Sequence, residues 1–363
     1  MNEILRPEVL WIEGRCYRVN DPNFDIAAFQ EHDLYENDMD YDRVDDEGDD
    51  DNFEVTRIDD SRYCTSLHVS KHYIGSIIGK KGVIKMRIER DTRTEIKIPR
   101  QGQSGDIVIF GSSESNVKAA RRRINIIVIS SRMKQKATHF LSIPLNTPEI
   151  IEKFEKFKES VLRNCPDRGL DETLFIKPNK LHLTIGVMCL MDKEERLRAA
   201  HLLTEAKQKI IKPMLENYLP LKLRLKGLSY MNDDPREIDV LYGLVQEEDA
   251  PSGLVQGLVD ALVDHYYKAG FMERNERANV KLHVTFINSK YRKGTSRTSI
   301  VNNEEQRNAK KLRETFDGSG VLQKFVDFDF GVTELKEIHL SQRHCIASDG
   351  YYQPTCVVTC TTG

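Results

Sequence analysis

The sequence predicts an α+β protein made of two folded modules behind an acidic N-terminal stretch. Three observations predict it. Strand-like alternation and helix-like periodicity interleave from Cys64 onward, a string Lys180-Leu181-His182-Leu183-Thr184-Ile185 returns as Lys281-Leu282-His283-Val284-Thr285-Phe286, and charges of opposite sign occupy neighbouring blocks. The 363 residues suffice for two hydrophobic cores. With 39% hydrophobic and 31% charged residues and no apolar run of spanning length, the composition is that of a soluble chain and predicts no membrane contact. The opening "MNEILRPEVLWIEG" lacks the basic start and apolar core of a secretory signal. Seven scattered cysteines without a CxxC pair point to a reducing compartment, and Cys356 and Cys360 have no companion ligands for zinc.

The net charge of -3 conceals a separation. Residues 31–60 hold fifteen Asp/Glu against two Lys/Arg, whereas residues 61–137 hold seventeen Lys/Arg against five Asp/Glu. So dense an acidic run, poor in large apolar residues, is expected to be a solvated linker; a sharper possibility is that it folds back and competes with an anionic ligand. Residues 1–30, with "VLWIEGRCYRV", are expected to dock a partner.

The basic block reads strand, helix, helix, strand, strand, helix. "CTSLHV" suits a strand, and Ile74, Ile77 and Ile78 share one helix face. Gly79-Lys80-Lys81-Gly82 breaks that helix before "VIKMRIERDT" resumes one. "TEIKIP" and "DIVIF" alternate as strands, and the last helix starts at a serine cap with Val117, Ala120, Ile124 and Val128 on one stripe. A GxxG between two short helices, after two isoleucines and among basic residues, resembles a eukaryotic-type KH domain over residues 61–132. The resemblance implies single-stranded RNA, or single-stranded DNA, clamped at Gly79, Lys80, Lys81 and Gly82. Glycines let phosphates approach backbone N–H groups. KH sequences carry an apolar residue where this chain has Lys85, and Ile84 or Ile88 is expected to take over its packing.

From "THFLSIPL" a longer α+β pattern runs through two series of matching order, as in a duplicated lobe. The first has strands at 138–144, "KLHLTIGVMCL" and "LKLRLKGL" with helices at 148–163 and 193–217; the second has strands in "IDVLYGLV", "NVKLHVTFINSKY", "FVDFDFG" and "ELKEIHLS", a helix in "GLVQGLVDALVDHYYKAGF" and a polar helix at about 304 to 315. On a strand, residues i and i+2 share a face, so His182 pairs with Thr184 and His283 with Thr285, while Leu183 and Val284 face apolar packing. A pseudo-twofold axis would bring the two pairs together across a cleft. Histidine, with an unperturbed pKa of about 6.5, suits proton transfer in either direction, and threonine hydroxyls can bond phosphoryl oxygens. No carboxylate or third histidine stands at ligand spacing beside either string, which argues against a metal. His339 and Ser341 in "IHLS" are read as structural, His139 as a surface or capping residue, and Arg292 as a solvated loop arginine.

The two HxT strings resemble those of the 2H phosphoesterases. The resemblance implies a bilobal, pseudo-twofold LigT-like domain over residues 137–342 that acts without metal or cofactor on RNA ends, 2′,3′-cyclic phosphates or related phosphodiesters. It implies His182 and His283 as catalytic residues and Thr184 and Thr285 as phosphate-binding ones. "HVTFINSKYR" is similar to the branch that includes A-kinase anchoring proteins. The order of acidic segment, KH module and 2H domain resembles a family of subunits of a nuclear coactivator complex. That implies nuclear localisation, the complex's large helicase subunit as partner, and a link to transcription coactivation and alkylation-damage repair. A non-catalytic nucleotide-binding adaptor and a pure scaffold remain alternatives, and the symmetry leaves the acid and base interchangeable. Residues 343–363 are expected to be a variable tail outside the domain.

Overall fold

The computed structural model describes residues 9–12, 15–18, 53–59, 61–100, 105–273, 279–292 and 314–360. Two compact units divide the chain, Met1–Glu54 and Val55–Gly363. In the first, β1 (Val9–Ile12) and β2 (Arg15–Arg18) pair as an antiparallel hairpin within the expected docking segment. Most of the acidic block and the polar helix expected at 304 to 315 lie outside the described residues. The end of the acidic block is not linker: β3 (Thr56–Asp59) pairs with β4 (Arg62–Leu67).

The KH module continues with α1 (Lys71–Ile78), α2 (Val83–Thr92), β5 (Thr94–Lys97), β6 (Ile107–Gly111) and α3 (Glu114–Met133). Its sheet has the order β3-β4-β6-β5. Val117, Ala120, Ile124 and Val128 are buried on one side of α3, and Ser113 caps that helix by accepting the Asn116 N–H.

The second module comprises β7 (His139–Pro144), α4 (Pro148–Asn164), β8 (His182–Met188), α5 (Lys193–Ala206), β9 (Lys222–Met231), β10 (Val240–Glu248), α6 (Leu254–Lys268), β11 (Val284–Asn288), α7 (Ser319–Phe325), β12 (Asp329–Glu334), β13 (Glu337–Ile346) and β14 (Tyr352–Thr359). The expected long helix is real but passes through a π turn, Lys207–Ile211, before Pro213, which has no N–H for a regular α-helical bond. One eight-stranded sheet runs β12-β9-β10-β11-β8-β7-β13-β14, so four strands stand on each side of the β11/β8 seam. Helix α4 follows β7 yet packs on β12 across the seam, and α6 follows β10 yet packs on β8. This crossing unites the lobes over one core, in which Phe154, Phe157, Phe286 and Phe330 lie in ring contact.

The stretch from residue 343, expected as a tail, is instead the end of β13 and the whole of β14. Strand β14 pairs along β13 from Tyr352 to Thr359, and Val358 and Cys360 are buried against the core. Strand pairing satisfies the backbone groups of a segment that would otherwise need water.

The KH and second modules share a junction of buried polar side chains. The Arg132 guanidinium at the end of α3 bonds Glu195 of α5 at 2.6 Å and the Gly270 carbonyl, and lies over the rings of Tyr73 and Phe271. Arg132 is 5% exposed and Glu195 2%. The Tyr73 hydroxyl reaches Cys189 Sγ at 4.0 Å, and His68 Nε2 lies 3.0 Å from Asp192, the cap of α5.

Candidate active site and nucleic-acid interface

Strands β8 and β11 meet antiparallel at one register position, Val284 opposite Leu183, both fully buried. Continuing that register one step each way sets Thr285 opposite His182 and His283 opposite Thr184. All four point to the face away from the core and are half-buried. The histidines are diagonal neighbours, about 7–8 Å apart at the backbone.

Both strands carry a β-bulge directly after the threonine. In the β7/β8 pair Leu141 opposes Gly186 and Ser142 opposes Thr184, so Ile185 is the extra residue. In the β10/β11 pair Leu241 opposes Ile287 and Tyr242 opposes Thr285, so Phe286 is the extra one. Both extra residues are buried, and each bulge bends its strand beside the motif.

The two imidazoles are held alike. His182 Nδ1 lies 2.6 Å from the Lys180 carbonyl oxygen, and His283 Nδ1 lies 2.7 Å from the Lys281 carbonyl oxygen. A carbonyl can only accept, so each Nδ1 carries a proton and donates it; in the neutral ring Nε2 is then the basic nitrogen. The environments differ. His182 is ringed by Phe140 at 5.2 Å, Tyr352 at 5.5 Å and Tyr351 at 6.3 Å, whereas His283 has Tyr242 at 5.5 Å. Burial among those rings pushes His182 down to about 4; the Lys180 carbonyl opposes the shift, and the nearby charges of His283 and Lys180 add to it.

In the KH loop, Gly79, Lys81 and Gly82 all have positive φ, at 69°, 55° and 82°. A Cβ at Gly79 would come within 2.6 Å of Ile84 Cγ1, so Ile84 packs on the loop itself. Ile88 is fully buried, and Lys85 pairs with Glu89 at 3.1 Å. Both isoleucines thus share the packing role that Lys85 does not fill. Exposed Val83 and Met86 form an apolar shelf beside the loop, which the sequence reading did not single out.

Several other residues fall differently from expectation. His139 is 5% exposed, not superficial, because β7 is covered on both faces. Arg292 is not a solvated arginine: it donates to the Gly169 carbonyl at 2.7 Å and pairs with Asp171 and Glu314. His339 Nε2 lies 2.8 Å from a Glu337 carboxylate oxygen. Tyr242, Tyr351 and Tyr352 were missed, since nothing local in the sequence ties them to the HxT strings. Among the described residues no three His, Cys, Asp or Glu side chains cluster as a metal site, and no helix is long and apolar enough to cross a membrane.

Comparison with known proteins gives these features a lineage. The family model of the AKAP7 2'5' RNA ligase-like domain matches residues 137–359, which takes in β14, and that of the KH domain matches residues 65–126. Among solved structures, the first KH type I domain of human vigilin is 24% identical over 23% of this chain and 87% of its own, with a TM-score of 0.20. E. coli LigT complexed with NADP+ is 15% identical over 63% of this chain and all of its own, with a TM-score of 0.34. Activating signal cointegrator 1 complex subunit 1 of Mus musculus is 37% identical over 96% of this chain and 97% of its own length. The chain therefore belongs to the family of activating signal cointegrator 1 complex subunit 1, in which a KH domain is joined to a 2H phosphoesterase-like domain.

Proposed function

We propose that the chain is an RNA-binding, metal-independent two-histidine phosphodiesterase acting on RNA ends, 2′,3′-cyclic phosphates or related phosphodiesters. The observation that carries the reading is the paired tethering of both imidazoles through Nδ1, which leaves both Nε2 atoms to the phosphate. His182, lowered to about 4, is neutral at pH 7 and takes the proton from an attacking water as the new P–O bond forms. His283 gives a proton to the leaving oxygen as the old P–O bond breaks. Thr184 and Thr285 donate to the non-bridging oxygens. The two rings perform both proton transfers, so the reading requires neither metal nor cofactor.

The likeness to the mouse subunit supports a place in an activating signal cointegrator 1 complex, and we propose that this complex is nuclear, contains a helicase and is linked to transcription coactivation and alkylation-damage repair. The large helicase subunit of the activating signal cointegrator complex is the proposed partner, docked through residues 1–30. The KH loop supplies the grip on single-stranded RNA or, alternatively, single-stranded DNA. Changing Lys80→Asp and Lys81→Asp together is expected to weaken RNA binding about tenfold or more and to reduce the slope of log affinity against log salt by about two. Aspartate tolerates the left-handed conformation of residue 81, so the melting curve should not move. Anisotropy titrations across a salt series check this.

The function itself is tested by turnover of oligoribonucleotides ending in 2′,3′-cyclic phosphate, in chelator, across pH. A neutral His182 is the active form, so kcat/KM should hold well below pH 6.5 and halve near pH 4. Tyr352→Ala, which admits water to the ring, should move that limb upward toward 6.5. No product at any pH, with end-dependent binding kept, would make the cleft a binding site and sink the enzyme reading.

A further inference from the structure

We infer that Lys180 and Lys281 seat the phosphates flanking the reacting one, so that the cleft is built for a polynucleotide backbone rather than for a mononucleotide. The inference rests on the phosphodiesterase reading and names its substrate class.

Each lysine serves twice. Its carbonyl holds the histidine two residues on, and its ammonium lies over a tyrosine ring: Lys180 Nζ is 5.0 Å from the Tyr352 centroid, and Lys281 Nζ is 4.9 Å from that of Tyr242. Those rings are the ones 5.5 Å from His182 and from His283. At each end of the site one tyrosine ring therefore neighbours both the ammonium and the imidazole. Duplication alone does not explain the likeness. Tyr242 lies on β10 beside β11, whereas Tyr352 lies on β14, three strands from β8 in the sheet order. Two unrelated strands supply the same seat to the same lysine.

Among the described residues neither ammonium has a carboxylate within ion-pair distance, although most lysines of the surface helices do, as Lys153, Lys156 and Lys209 show. Burial and the neighbouring Lys177 lower the Lys180 amine, as befits a cation held without a counter-ion. An uncompensated, oriented cation on each side of a phosphate site is a demand for more negative charge.

The antiparallel register sets the direction. The strands run oppositely through Leu183 and Val284, so the residues two before each histidine diverge to opposite ends of the pair. Lys180 ends the short turn Pro178–Lys180 just before β8, and Lys281 precedes β11, so each lysine enters the seam from its own end. The reacting phosphate sits between them, with one lysine toward each end of the seam. An end bearing a 2′,3′-cyclic phosphate has chain on one side only and engages one lysine; an internal diester engages both.

Three substrates separate these cases: a 2′,3′-cyclic mononucleotide, an oligoribonucleotide with that same end, and an oligoribonucleotide whose reacting diester is internal. For Lys180→Met and Lys281→Met, the kcat/KM of each oligonucleotide relative to the mononucleotide is the readout. We expect that ratio to fall about tenfold for one lysine only with the cyclic end, and for either lysine with the internal diester, through KM more than kcat. Arginine at either position should restore most of it. Ratios unmoved by both methionine variants would overturn the inference while leaving the phosphodiesterase reading intact. If wild type turns over none of the three, the reading fails and binding decides the inference. With the KH loop silenced by Lys80→Asp and Lys81→Asp, each methionine should lower the salt slope for oligonucleotide binding by about one, and an unchanged slope would overturn it.

Discussion

His182→Ala and His283→Ala are each expected to lower turnover of cyclic-phosphate RNA by about 10²–10⁴-fold, with RNA binding and the melting temperature nearly unchanged. Both rings are half-buried on the face away from the core, so their loss opens no core cavity. The double variant should lose little more than either single one, because base and acid act on the same transition state. The two losses should nevertheless be distinguishable. A substrate with an aryloxide leaving group needs no proton on departure, so it should recover much of the activity of His283→Ala. It should recover none in His182→Ala, whose missing group activates the water. The assignment follows from the aromatic wall around His182, which keeps that ring neutral. Steady-state kinetics with both substrates checks it, and recovery in His182→Ala instead would reverse the roles.

What the sequence made legible was what strands and helices repeat locally. The i, i+2 geometry of HxT placed the four side chains on one face, and buried Leu183 and Val284 confirm that face. The KH order was readable because each of its elements carries its own period and punctuation. Illegible features depend on distant pairing. The bulges at Ile185 and Phe286 arise from the partner strands, and no residue type announces them. Strand β14 contains Pro354, which a central strand would exclude, but β14 is an edge strand and tolerates the missing N–H. Its start brings Tyr351 and Tyr352 to His182 across more than 160 residues of sequence, a meeting only the assembled sheet reveals. Burial of His139 escaped for a related reason: a strand covered on both faces shows no alternation to read.

Glu195→Ala is expected to be the most destabilising single change in the unit, by about 3–5 kcal/mol. The reason lies in what it leaves behind. Arg132 is enclosed by Tyr73, Phe271 and the Gly270 carbonyl, so without Glu195 a guanidinium stays charged in a site with no other described carboxylate partner. Glu195 also accepts the Met191 N–H at 2.7 Å, so the loop leading into α5 loses an anchor as well. Replacing both partners by apolar residues of similar length, Arg132→Met with Glu195→Leu, removes the stranded charge and should cost far less than Glu195→Ala alone. The pair ties α3 of the KH module to α5 and to the turn after α6, so its loss should also uncouple the modules. Wild type is expected to unfold residues 55–363 in one transition, whereas Glu195→Ala should show two in denaturant, with the KH module melting first. Coincident transitions in that variant would mean that the apolar contacts around Tyr73 suffice to couple the modules. A double variant as unstable as Glu195→Ala would locate the cost in the Met191 anchor rather than in the uncompensated charge.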